Sequence, residues 1–92
     1  MSAAEAVEAL RRLIRRLRGP GGCPWDREQT PASMVRYLLE EAHELADAVA
    51  SGEEEPVCEE LGDVLFQVLF LGEGYEAAGR SDLETVCRGI TE

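Results

Sequence analysis

Five acidic side chains, Glu40, Glu41, Glu44, Glu60 and Asp63, carry the chemistry this chain is best equipped to do. They form two short patterns, EExxE over residues 40–44 and ExxD over residues 60–63. At about 100° per residue on a helix, Glu41 borders an apolar stripe. Glu44 lies roughly 60° further round, and Glu40 beyond it. Glu60 and Asp63 repeat the same offset from the edge of a second apolar face. Carboxylates that converge at the rim of a core repel one another and raise at least one pKa unless a cation intervenes. Hard divalent ions with oxygen ligands, Mg²⁺ or Mn²⁺, suit such a set. Spacing alone equally accommodates the solvated faces of an acidic protein. Asp47 and the run Glu53-Glu54-Glu55 read that way.

The elements that must position these groups are helical. Ser2 with Glu5 is a capping box, and Val7, Leu10, Ile14 and Leu17 follow at helical spacing up to Gly19-Pro20. Gly21 to Thr30 reads as an ordered loop containing Trp25. Thr30-Pro31 starts a second helix with the stripe Met34, Leu38, Ala42, Leu45 and Val49, stopped at Ser51-Gly52. Pro56 opens a third, running to Gly79. Ser81 with Glu84 reads as the capping box of a fourth, which runs to about Thr91. An antiparallel pairing of the second and third helices, with its turn at 52–55, sets the two acidic patterns at similar height. The third helix is apolar on two sides: Leu61, Leu65, Val68 and Leu69 on one, Phe66 and Phe70 on the other. Four short helices cover one such face well, so the other calls for a second copy of the chain. The fold class is therefore all-α, a short four-helix bundle-like domain completed by oligomerisation.

Bulk properties narrow the partners. Ninety-two residues, 45% of them apolar, make one domain over 1–92 with material for a core. The net charge is −10 and all nine basic residues are Arg, five of them in the first helix. Such a surface repels nucleic acid. A phosphorylated small molecule remains compatible with it if metal ions stand between the two anions. Three cysteines without a CxxC pair argue against a disulfide framework or zinc cluster and for a reducing, cytoplasmic setting. The longest apolar run, Val64 to Leu71, is interrupted by Gln67 and too short for a bilayer. The N-terminus lacks the pattern of a signal peptide.

Gly21-Gly22-Cys23-Pro24-Trp25-Asp26 with Gln29-Thr30, Tyr37 to Glu44, Glu59-Glu60-Leu61-Gly62-Asp63 with Val64 to Gln67, and Gly79-Arg80 running into Asp82-Leu83 occur in one order and spacing. Over the span Gly19 to Val86 that holds these segments, roughly three quarters of its length, the chain resembles the MazG-like nucleotide pyrophosphohydrolases, the all-α NTP pyrophosphatases. The resemblance implies a homodimer or tetramer. It also implies Mg²⁺-dependent cleavage of nucleoside triphosphates between the α and β phosphates, with Mn²⁺ a substitute ion, releasing a monophosphate and pyrophosphate. By motif position Glu41, Glu44, Glu60 and Asp63 hold the metal, and Glu40 is a further ligand or orients the attacking water. Trp25 and Asp63 fall where the nucleotide binds, although Trp25 would serve equally as a plug of the core beside the first helix. Relatives of this type continue into a basic segment resembling KLxRRHPHVF that residues 1–92 do not contain. Ser81 stands for a usual aromatic, and Leu71-Gly72 for a usual His-Ala. The alternative is a catalytically weak or inactive acidic oligomer serving as a nucleotide- or protein-binding module. Glu40-x-x-His43 also has the form used in di-iron proteins, but its partner motif Glu60-x-x-Asp63 lacks the second His.

Overall fold

A computed structural model describes all 92 residues. The chain is all-α, with helices α1 (Ala3–Arg18), α2 (Pro24–Glu28), α3 (Pro31–Ser51), α4 (Glu54–Ala77) and α5 (Leu83–Thr91). No helix is long and apolar enough to cross a membrane.

Local signals account for most boundaries. The Ser2 hydroxyl accepts the Glu5 N–H and the Glu5 carboxylate accepts the Ser2 N–H, each at 3.1 Å. Thr30 accepts the Ser33 N–H at 3.2 Å, and Ser33 Oγ accepts the Thr30 N–H at 2.9 Å, closing a reciprocal cap on α3. Gly52 ends α3 with φ of +77°, a left-handed conformation that costs glycine little.

Three boundaries differ from expectation. Residues 24–28 form α2 rather than a loop. One turn is too short for apolar periodicity to register, although Pro24 at its start presets the helical φ. The glycines before it turn the chain tightly under α1, since a Cβ on Gly22 would lie 2.1 Å from the Arg16 carbonyl oxygen. α4 begins two residues before Pro56, which occupies a first-turn position whose N–H has no intrahelical acceptor. The cap of α5 is Asp82, not Ser81: its carboxylate accepts the Thr85 N–H at 2.8 Å.

The core is built where α1, α3 and α4 meet, from Ile14, Met34, Leu69 and Phe70, with Val7, Leu10, Tyr37 and Phe66 against it. The largest helix–helix interface is between α3 and α4, whose two-residue link, Gly52-Glu53, makes them antiparallel neighbours. Met34, Leu38 and Leu45 of the expected α3 stripe turn inward, but Ala42 and Val49 are exposed and Ala48 is buried instead. On α4 the division between faces also shifts. Leu69 joins Phe70 in the core, while Leu61, Leu65 and Val68 stay largely exposed.

Candidate metal centre

The hairpin of α3 and α4 sets Glu41 beside Glu60 and Asp63. One carboxylate oxygen from each lies within 4.8 Å of the others. Glu41 and Glu60 are half-buried and Asp63 is exposed, so the group sits at the rim of the α3–α4 seam. Glu41 Oε2 and Glu60 Oε2 are buried and have no hydrogen-bond partner. Buried polar atoms are almost always paired, so two orphaned acceptors in one acidic group define a place where a donor or a cation fits.

The electrostatics agree with the geometry. Burial raises the Glu41 carboxyl to about 7, with added repulsion from Glu44, Asp63 and Glu60. Glu60 is raised in the same direction, first by burial and then by Glu44 and Asp63. Glu44 is exposed and outside the converging trio, yet it is the strongest like-charge neighbour of both residues. Glu40 is exposed on α3, and its charge acts on the Arg36 guanidinium. His43 is exposed and stands apart from the converging group.

Trp25 projects half-exposed from α2 and meets Tyr37 edge-on, with ring centroids 5.6 Å apart at 71°. Arg36 covers the Tyr37 ring at 4.8 Å and donates to its hydroxyl at 2.7 Å. Tyr37 lies one helical turn before Glu41, so an aromatic pair and an acidic group follow each other along α3. Sequence reasoning passed over Tyr37 as a functional position. The i,i+4 relation to Glu41 was its available signal. Gln67, four residues after Asp63, was likewise given no functional role. Its Oε1 is also buried and unpaired.

The arginines of α1 have structural partners. Arg11 Nε and Arg15 Nε donate to the two oxygens of Glu73 at 3.2 and 3.0 Å, and Arg11 also reaches Glu76 at 3.0 Å. Arg15 therefore ties α1 to α4. Arg18 lies over Phe70 at 4.9 Å and donates to the Gln29 carbonyl at 3.4 Å. A concavity between α4 and α5, lined by Arg11, Val68, Glu73 and Val86 among others, contains none of the five carboxylates.

Comparison with known families decides the relationship. The family model described as the MazG nucleotide pyrophosphohydrolase domain matches residues 29–92. The chain belongs to the MazG family. Among curated relatives it is 41% identical over 87 residues to a nucleoside triphosphate pyrophosphohydrolase of Escherichia coli strain K12, covering 94% of this chain and 33% of that protein. It is 41% identical over 85 residues to a nucleoside triphosphate pyrophosphohydrolase/pyrophosphatase MazG of Thermotoga maritima, covering 92% and 33%. It is 45% identical over 82 residues to the protein YabN of Bacillus subtilis, covering 89% and 17%. The chain thus spans a third or less of the length of these relatives. All five carboxylates lie inside the segment matched by the MazG family, whereas Trp25 precedes it.

Proposed function

We propose that this MazG-family chain is a divalent-metal-dependent nucleoside triphosphate pyrophosphohydrolase, cleaving between the α and β phosphates to a monophosphate and pyrophosphate. One observation carries the proposal: Glu41, Glu60 and Asp63 converge within 4.8 Å, two of them with orphaned buried oxygens. An all-oxygen, strongly anionic donor set fits Mg²⁺, or Mn²⁺ in its place. Glu41, Glu60 and Asp63 are the direct holders, and Glu44 closes the set from the exposed side. When bound, such an ion neutralises phosphate oxygens and lowers the pKa of an attached water.

The protein's own groups supply the rest. Glu41 is raised to about 7 by burial and its acidic neighbours in the metal-free chain, so it sheds its proton as the ion binds, and a carboxylate beside the bound water then takes the water's proton. Glu40, solvent-facing on the adjacent position, orients the attacking water. Asp63 stands at the nucleotide end of the set. Trp25, half-exposed and braced by Tyr37, offers a face on which a base stacks. Phosphoryl transfer depends mainly on positioning and charge neutralisation, so the chain needs no Ser or Cys nucleophile.

Assembly belongs to the same proposal. Val35, Leu39, Ala42, Ala46 and Val49 on α3 recur at alternating intervals of four and three residues, and all are exposed. Cys58, Leu61, Leu65, Val68, Gly72 and Tyr75 repeat that pattern on α4, also exposed. Two heptad-like seams on one hairpin match the packing of a helical bundle, and a second copy of the chain covers them. The family resemblance and the reducing setting suggested by the cysteines support a cytoplasmic setting for this house-cleaning activity.

The test is a pyrophosphate-release assay with Mg²⁺ against each NTP and dNTP. Release from at least one substrate, abolished by chelation, is the expected result. No release from any substrate by a chain that still binds Mg²⁺ would sink the catalytic claim and leave a binding module.

A further inference from the structure

Gln67 is the one neutral residue whose buried side-chain oxygen lacks a partner. It interrupts the apolar run Val64–Leu71 on α4. Its position is four residues after Asp63 and seven after Glu60, so the three share one stripe of the helix. That stripe faces α3, because Glu60, Val64, Gln67 and Leu71 are the half-buried positions along it. The other two orphaned oxygens belong to Glu41 and Glu60, so all three such atoms lie on the facing sides of a single helix pair.

An unpaired buried amide oxygen costs about 1–3 kcal/mol relative to one that is satisfied. A leucine or methionine at this place would extend the apolar run without that cost. No side chain of α3 or α4 donates to Gln67 Oε1. The donor it lacks must then come from outside the chain. Neither acidic orphan will supply a proton at neutral pH when a cation is bound. Water polarised by a divalent ion is a strong donor, and outer-shell acceptors that fix such water are a regular part of metal centres.

We propose that Gln67 is a positioning residue of the metal centre, its Oε1 accepting a hydrogen bond from water held by the ion between α3 and α4. This rests on the metal reading given above and adds a residue to it. The amide orients that water and sets the depth at which the ion sits in the seam. It contributes no charge to a group that already carries several negative ones.

The test uses Mn²⁺ alone, titrated into the nucleotide-free chain and followed by electron paramagnetic resonance, beside thermal melts without metal. Gln67→Leu should weaken Mn²⁺ binding about tenfold or more, the usual effect of losing an outer-shell partner. Its metal-free Tm should stay equal or rise, because an orphaned acceptor is removed. Gln67→Glu, which keeps an oxygen in place, should bind Mn²⁺ at least as tightly as the parent. Unchanged Mn²⁺ affinity in Gln67→Leu, or a metal-free Tm that collapses, assigns Gln67 to packing and overturns the proposal. So does a Gln67→Glu chain that binds as weakly as Gln67→Leu. A parent chain that binds no Mn²⁺ brings down the metal reading itself, a result distinct from the others.

Discussion

Glu41 on α3 and Glu60 on α4 each bury one carboxylate oxygen without a hydrogen-bond partner, while an oxygen of each joins Asp63 in a group within 4.8 Å. Two helices therefore meet at a place where each presents an unpaired negative group. In the metal-free chain that contact opposes the hairpin. With a cation it supports it.

Neutralising one member separates these two effects. Asp63→Asn or Glu44→Gln should abolish Mg²⁺ stimulation of hydrolysis and weaken Mg²⁺ binding measured by calorimetry. The same variants should melt without metal at the parental temperature or about 2–4 °C higher, the scale set by relief of a few tenths of a kcal/mol in a domain this small. Full activity in either variant would show that the metal site lies elsewhere.

The pH dependence has a definite sign. Glu41 titrates near 7 in the folded chain against 4.5 when unperturbed, and Glu60 is raised in the same sense. A carboxyl raised on folding favours the native state while protonated. That contribution is complete below the unperturbed value and is lost as pH rises through the folded one. Metal-free melting temperatures should therefore fall between about pH 5 and pH 8. Mg²⁺ should reverse the trend, and its binding at about pH 6 should release protons that it no longer releases at about pH 8.5. A metal-free stability that climbs across this interval contradicts the assignment.

Glu73 offers a control away from the carboxylate group. It receives both Arg11 and Arg15 and is nearly buried. Glu73→Gln should destabilise the fold by about 1.5–3 kcal/mol, the range for hydrogen bonds to charged groups, with Arg15's exposure keeping it from the top of that range. Urea denaturation measures the loss. Mg²⁺ affinity of the folded fraction should not move.

Trp25 is half-exposed, so truncating it removes little core. Trp25→Ala should leave Mg²⁺ affinity unchanged and weaken binding of a non-hydrolysable nucleotide about tenfold, consistent with about 1–3 kcal/mol for stacking a base on an aromatic ring. Equal nucleotide affinity in the two chains would place Trp25 among structural residues.

The exposed seams make a prediction about assembly. Leu61→Glu or Leu39→Glu puts a charge into an apolar face, and light scattering should then report a monomer where the parent forms a dimer or tetramer. A parent that is monomeric at high concentration would refute this part of the reading.

Much of this was legible beforehand because it rests on local rules. Caps at Ser2 and Thr30, the stop at Gly52 and the offsets of Glu41, Glu60 and Asp63 all follow from helical geometry. Other features depend on tertiary placement. α2 is a single turn and carries no periodicity. Ala42 and Val49 lie within the expected stripe but face away, because the α3–α4 contact is centred nearer Glu41 and Ala48. Arg15 is claimed by Glu73, 58 residues later, and no spacing rule anticipates such a pairing. Glu44 and Glu40 were grouped with the others by helical angle and by motif position. Their separation from the converging trio reflects side-chain reach and burial, which sequence offsets do not encode.

The two-residue link at Gly52 has a consequence for folding kinetics. With α3 and α4 joined so closely, Glu41 and Glu60 meet through a short loop, and closing such a loop costs little entropy and proceeds fast. The acidic contact then forms early, as the hairpin closes, rather than as a late adjustment of a finished fold. Its repulsion falls on the folding step itself, so divalent cations should speed refolding of this chain as well as slow its unfolding.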